Sequence, residues 1–322
     1  MVPEASLVER FAADLDALSA PGEKLGIAVS GGPDSLALLL LANAARPGLV
    51  EAATVDHGVR PEARVEAVMV ANLCQRLDIP HSMLKLSDIA AGEGNLQARA
   101  REGRYRLLAE WAERRKLAGV ATAHHLDDQA ETVLMRLSRG SGVGGLAGVQ
   151  ASRPLASGVA LVRPLLGWRR EQLQRVVGEA GIEPILDPSN VDERFDRTRA
   201  RDLLASIDWL DPERLAAVAS HSRDADRALE WAAQENFGQR ASRDGEALLL
   251  DPTGLPREIK RRLLVAAIAE LGGEEPPGPQ VMAAIEALED AEVTTLAGLK
   301  LEGGMHWRLS VAPPRRTTAF TR

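Results

Sequence analysis

The stretch LGIAVSGGPDSLALLLL, residues 25–41, decides the fold of the first half of the chain. It reads as a buried strand, a glycine turn and the start of a helix, an arrangement that can hold phosphate on free helix amides. The adjacent glycines permit a tight bend, and Pro33 suits a first helical position. The lysine of a Walker A loop is missing, and Asp34 stands in the turn instead. The stretch therefore predicts a phosphate loop that works without lysine.

Short apolar runs alternate with amphipathic stretches on both sides of this loop. The predicted strands are residues 24–30, 49–56, 79–86, 117–123 and 158–165, and the predicted helices are 33–46, 61–77, 95–116 and 127–139. This alternation predicts an α/β fold with a doubly wound, mainly parallel sheet and helices on both faces. Right-handed crossovers then place a ligand crevice at the carboxyl ends of the strands.

The later part of the chain has a different pattern. From about residue 206 helical spacing dominates, and the alternating segment around Gly303 and Gly304 predicts a hairpin near the end. We therefore expect two domains. Residues 1–205 would form the α/β domain, and residues 206–322 would form a smaller, mostly helical domain.

Composition limits the class of protein. The chain has 322 residues, of which 45% are hydrophobic and 26% charged, as is ordinary for a soluble globular protein. No apolar run is long enough to cross a bilayer, and the first residues lack the pattern of a signal peptide. The single cysteine, Cys74, cannot form a disulfide framework or a CxxC pair within one chain. We therefore expect a cytoplasmic protein without a membrane partner.

The net charge of −7 argues against a general nucleic-acid coat protein. Arginines nevertheless cluster locally along the chain. Guanidinium groups are well suited to bind phosphate. The alternative is that each cluster is a solvated helix face with nearby acids. The clusters consist of Arg99, Arg101, Arg104 and Arg106; Arg163, Arg169, Arg170 and Arg175; and Arg194, Arg197, Arg199 and Arg201.

Polar side chains follow the first two strands at the edge where the fold predicts a ligand. Backbone amides and the hydroxyls of Ser30 and Ser35 can hold phosphate, and Asp34 would then bind Mg²⁺, since carboxylate and phosphate repel each other. A capped strand–helix turn explains the loop equally well. Asp56 and His57 end the second strand at the same edge, although a plain turn is the stronger interpretation of that pair alone.

The most informative stretch is AHHLDDQAETVLMRL, residues 123–137, at the end of the fourth strand. Helical spacing puts Asp127 and Asp128 on one face with Glu131. Like charges at a helix start persist more easily around a cation, either Mg²⁺ or a substrate ammonium. Acids that favour the helix dipole and core histidines are the alternatives. Convergence with His124 at the predicted crevice favours the functional interpretation.

Two further features border this predicted crevice. Arg104, on the helix predicted over residues 95–116, is the best candidate to reach into the crevice from that side. The glycine-rich stretch RGSGVGGLAGV, residues 139–149, predicts either a mobile loop that closes over a substrate or a plain linker.

Taken together, these stretches resemble one family. SGGPDS at residues 30–35 is similar to the PP-loop of ATP pyrophosphatases, which cleave ATP between the α and β phosphates. Other stretches resemble the tRNA(Ile)-lysidine synthetases more specifically and cover about two-thirds of the chain in the right order. They are VDHGVRPEA (55–63), NLQARAREGRYRLL (95–108), AHHLDDQAETVLMRLSRGSG (123–142), DPSN (187–190) and RTRARDLL (197–204).

The resemblance implies a ligase that uses ATP and Mg²⁺. Such enzymes adenylate the 2-carbonyl oxygen of the wobble cytidine in a tRNA(Ile) with anticodon CAU. The ε-amine of free L-lysine then attacks, AMP leaves, and lysidine results. Longer members carry a further C-terminal domain, and residues 206–322 here would supply the first accessory, tRNA-binding domain.

Carried over by position, the resemblance also implies roles for individual residues. Asp128 and Glu131 would lie near the lysine ammonium, and either Asp127 or Asp128 would face the metal together with Asp34. The implied ATP-binding residues are Ser30, Gly31, Gly32, Pro33, Asp34, Ser35, Asp56, His57 and His124. The implied catalytic residues are Asp34, Arg104, Asp128 and Glu131, and the implied tRNA-binding residues are Arg197, Arg199 and Arg201.

Three rival functions agree with parts of the sequence. A tRNA thiolase of the same PP-loop group would need cysteines for sulfur transfer or a cluster, and only Cys74 is present. A metal-dependent phosphohydrolase would use the His and Asp residues as a dimetal cluster but would not need SGGPDS. A non-catalytic RNA-binding protein would need only the arginines. The oligomeric state, including a homodimer, stays open.

Overall fold

The computed structural model describes residues 2–56, 62–86, 96–185 and 196–312. The chain divides into two compact units, Met1–Ser222 and Arg223–Arg322. This division lies inside a long helix and later than the boundary after residue 205 that the sequence predicts. The segment DPSN, predicted to close the first domain, lies outside the described residues.

The first unit combines a six-stranded sheet with most of the helices. Its strands are β1 (Leu25–Ala28), β2 (Val50–Asp56), β3 (His81–Lys85), β4 (Gly119–Ala121), β5 (Ser152–Ala156) and β6 (Val159–Val162). Its helices are α1 (Ala5–Asp16), α2 (Pro33–Ala45), α3 (Glu62–Arg76), α4 (Leu96–Arg115), α5 (Leu126–Ser138), α6 (Val143–Leu146), α7 (Arg170–Glu179), α8 (Asp196–Ser206) and the first part of α9 (Pro212–Arg240).

The strand order β3-β2-β1-β4-β6-β5 confirms the predicted doubly wound, mainly parallel sheet. The chain winds outward from β1 to β3 and then returns to place β4 beside β1, in parallel register. This switch point leaves a crevice at the carboxyl ends of β1 and β4. The sequence missed β5, which pairs antiparallel with β6 and is interrupted by an irregularity after Pro154, because a short polar strand with a proline gives little strand signal.

The two faces of the sheet bury different helices. Leu25 and Ile27 of β1 belong to a core that also includes α1, α2 and α7. Trp111 of α4 lies in a second core on the opposite face, where Gly26 leaves room for the indole. Side chains that alternate along β1 thus pack against helices on both faces of the sheet.

Replacing Gly26 with alanine should destabilise the protein by about 1–3 kcal/mol, because an added methyl group overfills the core. A Cβ at this position would lie 2.5 Å from Cζ3 of Trp111 and 2.9 Å from Cδ1 of Leu117. Urea unfolding measures the loss. Gly178 is the control, since it lies within α7 with nothing near its Cβ position. Alanine there should be neutral or stabilising by up to about 1 kcal/mol, and equal urea midpoints for the two variants would contradict the packing argument.

The second unit has an antiparallel sheet with strand order β7-β8-β11-β10-β9. The predicted hairpin around Gly303 and Gly304 is confirmed as β10 and β11. The sequence missed the other three strands: β8 is an apolar run of four residues, which periodicity cannot distinguish from a helical segment, and β7 and β9 are four-residue strands that are mostly exposed. The elements are the rest of α9, β7 (Ala241–Asp244), β8 (Ala247–Leu250), α10 (Arg257–Glu270), α11 (Gly278–Glu289), β9 (Val293–Leu296), β10 (Leu299–Glu302) and β11 (Trp307–Val311).

Across the described ranges of both units, every helix is too short or too polar to be a candidate membrane span.

Candidate active site

A crevice of about 550 Å³ opens in the first unit, at the carboxyl edge of the sheet. Its volume is in the range of small-molecule sites. The ends of β1 and β4 and parts of α2, α4, α5, α7 and α8 contribute to its wall. Of the residues predicted from the sequence, the lining contains Ser30, Gly32, Pro33, Asp34, Ser35, Arg104, His124, Asp128, Arg197 and Arg201.

Five predicted residues among those described lie outside this lining, and the first of them is Gly31, which lies within the glycine loop itself. Asp56 is the last residue of β2, and Arg199 is exposed on α8. Asp127 lies against the start of α7, and Glu131 is buried behind the wall. His57 falls outside the described residues.

The glycine loop joins β1 to α2 in a conformation that only glycine adopts readily. Gly31 has φ +88°, in the region that L side chains rarely occupy. The hydroxyl of Ser35 accepts the N–H of Ser30 at 3.1 Å and donates to the carbonyl of Gly32 at 3.0 Å. The first-turn amides of α2 have no intrahelical acceptors, so they are available to an anion.

Asp34 brings a carboxylate to this loop. One oxygen, Oδ2, lies 3.5 Å from Nε2 of His125, and the other, Oδ1, is buried and has no hydrogen-bond partner among the described residues. A buried, unpartnered carboxylate oxygen beside a phosphate loop fits Mg²⁺, which binds one or two carboxylates together with phosphate oxygens. Within the ranges that the structure describes, no three His, Cys, Asp or Glu side chains form a metal-binding group by themselves.

His125 lies among three carboxylates and is only 1% exposed. Its ring nitrogens are 3.5 Å from Asp34, 3.6 Å from Asp127 and 3.7 Å from Asp128, slightly longer than direct hydrogen bonds. Burial alone lowers its pKa, but the adjoining carboxylates outweigh burial and raise the pKa to about 9. The imidazolium therefore stays charged at neutral pH and neutralises the acids. The sequence pattern indicated His124 as a site residue but not this role of the second histidine.

The two adjacent aspartates of α5 have different partners. Asp127 accepts the backbone N–H of Arg170 at 2.8 Å and Nε of Arg169 at 3.2 Å, so it caps α7. Burial would raise its pKa, but the adjoining His125 and the hydrogen bonds from these two arginines hold the pKa below its usual range. Asp128 accepts the N–H of His125 at 3.0 Å and lines the crevice. Of the two, Asp128 is thus the residue placed to meet a ligand.

Glu131 is occupied by arginines. Its side chain is 1% exposed and lies 3.1 Å from Nη2 of Arg170, 3.0 Å from Nε of Arg201 and 3.3 Å from Nε of Arg197. The three arginines themselves line the crevice. The family resemblance implies that this carboxylate lies near a lysine ammonium, which stays a prediction; in the structure its contacts are with guanidiniums that line the crevice.

His124 differs from its neighbour in charge. Burial, followed by the charges of nearby arginines, lowers its pKa to about 4, although Asp128 acts in the opposite direction. Its imidazole is therefore neutral at neutral pH, and its Nδ1 lies 3.1 Å from Oγ1 of Thr122. Adjacent histidines thus supply one fixed cation and one neutral ring.

A doubly wound sheet whose first glycine loop presents free amides and an aspartate, without a lysine, defines the class of PP-loop nucleotide-binding proteins. A family model described as a PP-loop domain matches residues 5–207. The domain supports the use of ATP.

Curated relatives identify the family within this class. The chain is 47% identical to a tRNA(Ile)-lysidine synthase of Novosphingobium aromaticivorans, over 96% of this chain and 94% of that protein. It is 45% identical to one of Zymomonas mobilis subsp. mobilis, over 93% of this chain and 92% of that protein. The chain belongs to the tRNA(Ile)-lysidine synthase family, whose members are ligases that form a carbon–nitrogen bond.

A solved structure supports the fold. The U34-tRNA thiolase NcsA from Methanococcus maripaludis, with its [4Fe-4S] cluster, superposes with a TM-score of 0.57 at 17% identity, over 69% of this chain and 80% of that one. This likeness shows the fold alone. Cys74 is fully buried in α3, and burial raises the pKa of its thiol to about 11. Such a thiol is poorly reactive.

Proposed function

We propose that this enzyme joins lysine to C2 of the wobble cytidine of a tRNA(Ile) with anticodon CAU, through an adenylated tRNA. The observation that carries the proposal is a single crevice that the phosphate loop and the carboxylate of Asp128 both line. One wall suits the phosphates of ATP and the other suits an ammonium group. The family of its curated relatives agrees with this pair of ligands.

At the ATP end, the amides of residues 30–35 and the hydroxyls of Ser30 and Ser35 hold the phosphates. Asp34 would hold Mg²⁺, which would supply positive charge to neutralise the departing pyrophosphate. Asp56 and His124, at the ends of β2 and β4, border the nucleotide. These groups are set before substrate arrives, because the loop and its serine hydrogen bonds are built into the β1–α2 turn.

Two displacements follow from this arrangement. First, O2 of the cytidine attacks the α-phosphorus, and the bond from that phosphorus to pyrophosphate breaks. Second, the lysine ε-nitrogen attacks C2, the bond from C2 to the adenylate oxygen breaks, and AMP leaves with the electron pair. Arg104 lines the crevice and stabilises the negative charge that develops on the α-phosphate.

Asp128 receives the lysine ammonium. Burial raises its pKa, but the charges of His125 and Arg197 and the backbone hydrogen bond from His125 outweigh burial and keep the pKa below its usual range. The carboxylate therefore stays ionised and attracts a cation. The amine must lose a proton before it attacks, and the wall offers two acceptors for it, Asp128 and the neutral ring of His124.

The tRNA contacts the first unit along α8, where Arg199 is exposed and Arg197 and Arg201 reach the crevice. The second unit serves as an accessory tRNA-binding domain. A cytoplasmic location agrees with both proposed substrates, ATP and tRNA.

Incubation with ATP, Mg²⁺, labelled lysine and a CAU-anticodon tRNA(Ile) transcript tests the function. We expect one label per tRNA, with AMP and pyrophosphate released in equal amounts. A transcript with uridine in place of the wobble cytidine is the matched control and should stay unlabelled, as should the reaction without ATP. Unlabelled RNA together with accumulating ADP would exclude the proposed reaction.

A further inference from the structure

A buried arginine just after β6 has no anionic partner among the described residues. Arg163 is 3% exposed, and its Nε is buried without a hydrogen-bond acceptor in the part of the chain that the structure describes. Its Nη1 donates to the backbone carbonyl of Gln150 at 2.5 Å. Among the described residues, no carboxylate lies within ion-pair distance of this guanidinium. A buried charge without a counter-ion is costly, so the position favours an anion from outside the chain.

Arg163 lies next to Tyr105, and two more arginines lie beside the ring of this tyrosine. The guanidinium of Arg153, on β5, lies 4.8 Å from the ring centre of Tyr105, and that of Arg101 lies 5.3 Å from it. Arg163 interacts with the Tyr105 hydroxyl. Neither Arg101 nor Arg153 has an ion-pair partner among the described carboxylates. Arg101, Arg153, Arg163 and Tyr105 form what we name the arginine–tyrosine cluster.

The cluster adjoins the crevice. Tyr105 lines it beside Arg104 and His124, and the cluster's Arg163 follows β6, the strand next to β4. Arg197 and Arg201, on another wall, already share the carboxylate of Glu131. By contrast, Arg101, Arg153 and Arg163 have no carboxylate partner among the described residues.

We propose that the arginine–tyrosine cluster binds a backbone phosphate of the tRNA strand, next to the nucleotide held in the crevice. This inference rests on the proposed function. The phosphates of ATP have a separate cradle in the glycine loop, whereas Arg101 is exposed on α4 and accessible to a macromolecule. Arginine pairs with phosphate through a planar fork of donors, and the tyrosine ring orients two of these forks.

The test compares Arg101→Gln/Arg153→Gln with a control, Arg106→Gln/Arg114→Gln, which removes two exposed arginines elsewhere on α4. Affinity for the CAU-anticodon tRNA is measured between about 50 and 200 mM salt, and affinity for ATP is measured in parallel. In the first variant, we expect tRNA affinity to fall about tenfold or more. The slope of the logarithm of the binding constant against the logarithm of the salt concentration should become shallower by about one to two. ATP affinity should stay within about twofold, and the control should bind tRNA almost as the wild type does.

Three results separate the possibilities. Unchanged tRNA affinity and salt dependence in the first variant would overturn the inference, and so would an equal loss of ATP affinity, which would assign the cluster to the nucleotide. Retained ATP binding shows that the variant is folded. If the double variant does not fold, the single variant Arg101→Gln replaces it in the same test. Lysine incorporation by the wild type is measured in the same preparations. If the wild type labels the tRNA while the variant binds it normally, only the cluster inference fails.

Discussion

Asp34→Asn should lower lysine incorporation into tRNA about a hundredfold to a thousandfold, the usual result of removing one preorganised charged group. The amide has nearly the same shape as the carboxylate, so the turn into α2 should persist. It cannot replace the carboxylate oxygen Oδ1, which is buried and has no hydrogen-bond partner among the described residues. Single-turnover labelling at saturating ATP measures the chemical step directly.

The role of Asp34 can be separated from a general loss of nucleotide binding. ATP binding without Mg²⁺ should change little, because the loop amides hold the phosphates, while the Mg²⁺ concentration needed for residual turnover should rise. Asp78→Asn is the control: Asp78 is exposed and has φ +55°, a conformation that asparagine tolerates. If the Asp34→Asn variant incorporated lysine at the wild-type rate, the proposed role of Asp34 would be wrong.

The phosphate loop was predictable because its signals are local. Two glycines, a proline at the first helical position and a leucine-rich helix follow one another within residues 30–41, and parallel topology brings the ends of β1 and β4 together. The antiparallel strand β5 was not predictable in the same way. It is an edge strand of alternating exposure with Pro154 inside it, so hairpin pairing with β6, and not its own pattern, stabilises it.

The acidic helix shows why site residues are harder to predict than elements. Helical spacing groups Asp127, Asp128 and Glu131 on one face, but it cannot say what that face contacts. The partners of Glu131 lie 39 and 70 residues further along the chain, in α7 and α8. Docking of α7 likewise turns Asp127 away from the crevice. Tertiary contacts, and not spacing, therefore separate the ligand-facing carboxylate from the structural ones.

Glu131→Gln should destabilise the first unit by about 2–4 kcal/mol, because it leaves three guanidiniums together without their buried carboxylate. This is below the full penalty for a broken buried pair, since the Arg197 side chain is 43% exposed and water screens part of its charge. Activity should fall further than stability alone explains, because Arg170 and Arg201 lose the group that orients them toward the crevice. Urea unfolding and single-turnover labelling measure the two effects.

Sulfate gives a sharper test of the same contact. Three arginines that lose the charge of Glu131 should bind an anion more tightly than in the wild type, where the carboxylate already neutralises them, so sulfate should raise the variant's urea midpoint more than the wild type's. Glu258→Gln is the matched control, because Glu258 also binds two arginines, Arg261 and Arg262, but its side chain is 41% exposed. Its loss should stay below about 1 kcal/mol. If both variants were equally stable and equally insensitive to sulfate, then α5, α7 and α8 would be held together by their apolar contacts, and the arginines would be positioned without Glu131.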